Sequence, residues 1–339
     1  MGDAGFSFAD LPEDLARLVI EAALEGGDAT AWACAKLCKS VQAWVEPILY
    51  RNIFADDFTT ITLLHRTILS HPSKELDFFL TNVKSLTLGL GRGSPFEAIV
   101  DILHACAPVE RLDIDPSFDP LTPPSMPWQS RSLRLATQSA WNRLRPKELG
   151  ISRDFFVGFP EKYHFRVAGP NANPIFTNVT HLTFGFSAYD RPALWCWDTL
   201  SQLSELTHLC FHSELICIGV KWLPLIACHF PRTLRVCAFH LAISTFEARV
   251  SRYQFAKVFK DIGEIEERIV VALDRPTLAA YMLTLDSAIP QGKLIWKYQN
   301  EEEMRKGSDD TFWRRAEGMV ATMRKGKHGL PGQIGGGTL

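Results

Sequence analysis

Leu11, Leu15, Leu18, Val19, Ala22 and Ala23 recur at intervals of three and four, the spacing that lines one face of an α-helix. Asp10 stands at the cap position, Pro12 in the opening turn, and Glu13 and Asp14 at the positive end of the helix dipole, while Gly26-Gly27 supplies a stop. Asp28 opens a second predicted helix. A third runs from about Ser40 through Val41, Trp44, Val45, Ile48 and Leu49, with Pro47 expected to kink or end it because proline removes one hydrogen bond and crowds the preceding turn. Three helices of this length bury little surface, so they are expected to lean on a partner or on the rest of the chain.

From residue 79 the period changes. Short segments of one type recur: Val83–Leu88, Val109–Ile114, Pro146–Ile151, Val179–Phe184, Leu206–Phe211 and Leu234–Phe239, with a seventh around Ile269 and Val271. Their central residues, Leu86, Leu112, Leu149, Leu182, Leu209 and Cys237, are spaced by 26, 37, 33, 27 and 28 residues. The shorter steps fall in the upper range of leucine-rich repeats and the longer ones carry insertions. Between the strands, Pro95–Cys106, Pro192–Leu203 and Ser244–Asp261 read as helical, whereas Asp115–Ser130 holds five prolines and reads as loop. Strand then helix, repeated, predicts parallel strands stacked edge to edge. Leu86, Leu112, Leu149, Leu182, Leu209 and Phe239 are the expected core. A last amphipathic helix is predicted from Thr311, with Phe312, Trp313, Ala316, Met319, Val320 and Met323 on one side, and the glycine-rich segment 324–339 is expected not to fold.

Composition narrows the class. Over 339 residues the chain is 46% hydrophobic and 22% charged with a net charge of −2, the balance of a soluble globular protein with enough length for about two domains. Neither nucleic acid nor a membrane is an expected partner, because the basic cluster Arg324, Lys325 and Lys327 is small and no apolar run approaches the roughly 20 residues a bilayer needs. The N-terminus has no signal-peptide pattern, and Phe6 occupies the place where myristoylation wants Ser or Thr. The expected location is cytoplasmic and/or nuclear, with the eight cysteines reduced and mostly buried.

The sequence offers three candidate chemistries. Gly89-Leu-Gly-Arg-Gly-Ser94 follows a predicted strand and precedes a predicted helix, the setting of a phosphate-cradling loop, with Glu110 or Asp113 as the ribose acid. Ser94 takes the place of the third glycine, and the alternative is a tight strand-to-helix turn. Histidines form the second group. Alternation along a strand puts His208, Cys210 and His212 on the face opposite Leu209 and Phe211, and aligning the repeats puts His181 beside His208 and His240 beside His212, about 4.8 Å apart. Such a row suits either zinc or, as the favoured reading, a polar, partner-facing ladder on the inner side of a solenoid. Nucleophilic catalysis lacks any recognisable motif, so no enzymatic activity and no cofactor are expected.

The N-terminus resembles an F-box through Leu11-Pro12-Glu13, Ile20, the run Ala31-Trp-Ala-Cys34-Ala-Lys-Leu37-Cys38-Lys39-Ser40-Val41, and Trp44. Continuing through Trp44-Val-Glu-Pro47-Ile-Leu49-Tyr50-Arg51 into strands of the Leu-Thr-His-Leu-x-Phe type, the chain to about residue 325 is similar to the F-box-like, leucine-rich-repeat-like proteins of mushroom-forming fungi. The resemblance implies an α/β protein in which an F-box-like helical module (8–54) precedes an irregular leucine-rich-repeat-like solenoid with parallel strands (55–325) and a disordered basic tail (326–339). It also implies a substrate-recognition adaptor of a Skp–cullin–RING ubiquitin ligase. Leu11, Pro12, Leu15, Ile20, Leu37 and Val41 would meet the Skp adaptor, and the strand positions His181, His208, His212 and His240 would face an unknown protein substrate. The alternatives are a repeat scaffold without ligase association and a nucleotide-binding oxidoreductase built on Gly89–Ser94.

Overall fold

The computed structural model describes residues 11–24, 28–70, 74, 76–89, 96–115, 139–152, 164–169, 172–186, 196–213, 223–241, 265–273, 294–296 and 310–328. These fall in two compact units, 1–112 and 113–339, whose boundary lies inside the third strand. The expected helix Ser244–Asp261, the proline-rich segment from 116 onward and Leu90–Ser94 of the glycine-rich loop lie outside the described residues.

The first unit opens with helices α1 (Glu13–Leu24), α2 (Asp28–Cys34) and α3 (Lys39–Leu49), close to the predicted spans. Pro47 sits in the last turn of α3, which continues only two residues beyond it. The helices enclose a core of Ile20, Leu24, Ala31, Val41 and Val45, with Trp44 and Leu49 packed partly against it. Strand β1 (Asn52–Ala55), which the sequence pattern did not reveal, pairs in parallel with β2 (Ser85–Gly89). Helices α4 (Phe58–Ser70) and α5 (Leu76–Asn82) lie between them in the chain, and α6 (Phe96–Ala105) leads to β3 (Arg111–Asp115). The strands stand in sequence order, β1-β2-β3. Beside Gly89 there is thus no reversal of strand order, the feature that opens a dinucleotide crevice in a doubly wound sheet. Gly89 has a local reason instead, since a Cβ there would collide with the backbone carbonyl of Asp56.

The second unit carries α7 (Ser139–Arg143), then β4 (Glu148–Ser152), β5 (His181–Phe186), β6 (His208–Ser213), β7 (Val236–Leu241), β8 (Ile269–Leu273) and β9 (Leu294–Trp296), again in sequence order and all parallel. The last of these, β9, was not anticipated. The stretch expected as a helix at Pro192–Leu203 is described as a 3-10 helix over Trp197–Gln202. The C-terminal helix α8 (Asp310–His328) runs five residues into the segment expected not to fold.

Because the strands are parallel and follow one another directly, repeat alignment equals strand register. Leu149, Leu182, Leu209, Cys237 and Ile269 stand side by side, as do Ile151, Phe184, Phe211, Phe239 and Val271. The six residues expected as the repeat core are all buried. A recurrent hydrogen-bond device marks the entry to several of the repeats. One carbonyl accepts two successive backbone N–H groups of the next repeat: Arg51 from Lys84 and Ser85, Lys84 from Glu110 and Arg111, Lys147 from Thr180 and His181, Thr180 from Thr207 and His208. This satisfies the polar backbone where each crossover rejoins the sheet. Behind the second unit's strands, Phe165, Phe176, Phe184, Trp197 and Phe211 pack ring against ring at centroid distances of 5.3 to 6.5 Å. The fold is α/β, with open parallel sheet and solenoid-like repetition.

Candidate functional site

Helix α1 carries two apolar stripes. Ala16, Ile20 and Leu24, spaced by four, are buried against α2 and α3. Pro12, Leu15, Leu18, Val19 and Ala22, also at helical spacing, are exposed. Leu15, Leu18 and Val19 are each about half exposed, and Trp32 of α2 and Leu37 of the α2–α3 turn are exposed at 56% and 68%. The single apolar face read from the sequence therefore divides into two. Of the expected docking residues, Pro12, Leu15 and Leu37 are at the surface and Leu11 is half-buried, whereas Ile20 and Val41 belong to the three-helix core. Leu18, Val19 and Trp32 were missed as surface residues, although the existence of two interleaved stripes is the signal that separates them. Arg17 and Glu21, paired at 2.7 Å, lie along the exposed side of α1.

A polar contact inside the first unit had no sequence signal. Lys74 is buried, with Nζ 3.0 Å from Glu46 Oε1 and 5.3 and 5.7 Å from the ring centroids of Tyr50 and Phe78. Gln42 Nε2 donates to the same carboxylate oxygen at 2.7 Å. Tyr50, Phe78 and Phe79 meet edge to face, all within 5.7 Å. Burial, followed by the charge of Glu46, raises the Tyr50 phenol above its ordinary value.

In the second unit the predicted histidine neighbours are confirmed: His181 stands opposite His208 and His212 opposite His240. Their surroundings differ from the expectation of an outward-facing ladder. Phe312, Trp313, Ala316 and Val320 of α8 pack on Cys210, Val236, Ala238, Val270, Ala272 and Ile295, on the histidine face of the sheet. His208 and His240 are buried, and His181 and His212 are half-buried. Beyond β6 this face is largely apolar, with Val236, Ala238, Val270, Ala272 and Ile295, and that is what lets an amphipathic helix cover it.

The rings of His181 and His208 lie parallel, 4.2 Å apart, and the edge of Trp313 meets them at centroid distances of 5.7 and 4.9 Å. Each ring's Nδ1 contacts the hydroxyl of the preceding threonine, Thr180 at 2.9 Å and Thr207 at 2.8 Å. Those hydroxyls donate their protons to the carbonyls of Lys147 and Thr180. Nε2 of His208 lies 3.3 Å from Glu317 Oε1. Arg235 Nη1 lies 3.4 Å from the same oxygen. Burial above all, then the neighbouring His181, pulls His208 down to about 4, outweighing Glu317.

Among the described residues no group of three or more His, Cys, Asp or Glu side chains is placed to hold a metal ion, and no helix is long and apolar enough to cross a membrane. Cys106, Cys210 and Cys237 are buried, Cys34 is half-buried, and Cys38, Cys196 and Cys228 are exposed, so the described thiols are less sheltered than expected; Cys217 lies outside the described residues. Burial raises the Cys106 thiol to about 12 and pushes Cys237 well above its usual value. The chain matches no model of a known protein family and no curated protein.

Proposed function

We propose that the chain is a non-catalytic adaptor that joins a Skp–cullin–RING ubiquitin ligase through its N-terminal helices and presents a protein for ubiquitination. The observation that carries this reading is the exposed stripe Leu15, Leu18 and Val19 together with Trp32 and Leu37, on helices whose own core is already closed by Ile20, Leu24, Ala31, Val41 and Val45. An unpaired apolar surface of this kind suits docking of a partner. Its residues overlap the stretch that resembles an F-box, with Ile20 and Val41 supporting that surface from within. Because α8 packs on the histidine face of the sheet, this reading assigns target binding to another surface of the chain.

Affinity purification of the full chain followed by mass spectrometry tests the proposal. Recovery of the Skp adaptor and a cullin, lost in the double variant Leu15→Ala and Val19→Ala, is the expected outcome. Abundant partners with neither component would favour the repeat scaffold without ligase association. A nucleotide-binding enzyme would show itself by thermal stabilisation with nicotinamide nucleotides.

A further inference from the structure

We propose that the open edge of β1 is the docking site for an extended segment of a target protein, which joins the sheet as a further parallel strand. The inference deepens the adaptor reading and rests on it only in calling the bound chain a target. Among the described residues β1 stands first in the sheet and pairs with β2 alone. Where β1 meets β2, the Arg51 carbonyl accepts the N–H groups of Lys84 and Ser85. Asn52 is the register partner of Ser85, and among the described residues no strand precedes it to offer a carbonyl in the same way. The Arg51 N–H turns back instead to the carbonyl of Ile48.

In a parallel ladder a residue turns its N–H and C=O to one side and its neighbours turn theirs to the other. The Arg51 bond therefore commits Arg51, Ile53 and Ala55 to β2 and leaves the backbone groups of Asn52 and Phe54 on the open side. Such an edge is a template for strand pairing, and only an extended main chain meets its groups at the two-residue interval of about 6.6 Å. Side chains narrow the occupant further. Phe54 is 65% exposed, whereas its register partner Thr87 on the same face is half-buried. A strand laid about 4.8 Å away would place a side chain against that phenyl ring and cover it. Arg51 and Asp56 are exposed at the two ends of β1, while the adjoining Asp57 is engaged as the cap of α4 through Thr60. A complementary parallel segment carries an acidic residue beside Arg51, an apolar residue beside Phe54 three places later, and a basic residue beside Asp56 two places further on. Reversing that segment sets each end against its own charge, which fixes the direction.

Selection of a displayed library of random peptides on the immobilised full chain, followed by titration of synthetic copies of the enriched sequences, tests the site. Enriched peptides should carry the acidic, apolar and basic residues at that spacing, and their binding should slow hydrogen exchange in the stretch Arg51–Asp56. Phe54→Ala should weaken binding at least about tenfold by removing the exposed ring. Asn52→Pro deletes one outward N–H, keeps every group of the β1–β2 ladder, and should weaken binding to a similar degree; should it fail to fold, Phe54→Ala decides alone. Leu15→Ala with Val19→Ala should leave peptide binding unchanged, so that loss of Skp capture and loss of this site are read separately. The proposal is overturned by a library with no enrichment, by peptides that protect another segment, or by binding that Phe54→Ala leaves intact. Self-association of the chain that Asn52→Pro dissolves would overturn it too, since a second copy would then be the occupant of the edge.

Discussion

Leu15 and Ile20 stand five residues apart on one helix and face opposite ways, the first 49% exposed and the second 6%. Five residues correspond to about 500° of helical turn, some 140° from alignment, enough to divide the helix's apolar residues between an internal core and a free surface. The two positions should therefore answer mutation differently. Ile20→Ala opens a void beside Val41 and Val45 and should cost about 2 to 4 kcal/mol in chemical denaturation. Leu15→Ala with Val19→Ala should change stability by less than about 1 kcal/mol and, in a pull-down, weaken Skp capture more than tenfold.

The buried ion pair of the first unit gives an independent stability prediction. Lys74→Met removes the cation 3.0 Å from Glu46 and above the Tyr50 and Phe78 rings. Breaking such a pair strands the remaining charge. Gln42 continues to donate to Glu46, so the expected loss is about 3 kcal/mol. Pairing Lys74→Met with Glu46→Gln should recover part of it, measured by urea denaturation at neutral pH.

Acid should destabilise the second unit through His208. Its folded-state value is depressed, so the unfolded chain binds more protons between pH 6.5 and about 4. Stability then falls as pH falls through that window and levels off below it. Glu266, hydrogen-bonded and paired to Arg268, is held below the ordinary carboxylate value despite its burial and adds a loss at lower pH. Between pH 7 and 5 the His208 contribution should be about 2 kcal/mol, and His208→Gln should remove that part of the slope.

Gly89→Ala should destabilise the first unit by about 2 kcal/mol, since the added Cβ meets the Asp56 backbone and neither strand end can move without disturbing the β1–β2 ladder. Nucleotide has no part in this expectation. The thermal midpoint of the variant, compared with the natural chain in the presence and absence of nicotinamide nucleotides, checks it: the decrease should be the same in both.

Strand pairing in the second unit was legible from residue spacing alone. In a parallel sheet whose strands follow the chain order, each repeat lies on the one before it, so Leu182 against Leu209 and His212 against His240 are local consequences of aligning neighbouring segments. The N-terminal helices were legible for a similar reason, because caps and turn residues act within a few positions. Strand β9 was lost because three residues carry too little periodicity, and β1 because Asn52–Ala55 lacks a buried alternation, its Phe54 being exposed. Which side of α1 is buried, and whether the histidine row meets water, depends on residues far along the chain. Val41 and Val45 select Ile20 over Leu15, and Trp313, more than a hundred residues beyond His208, closes the face that strand alternation leaves open. Hydrophobic burial has no direction of its own: periodicity determined which side chains share a face, and only tertiary packing decided which face was covered.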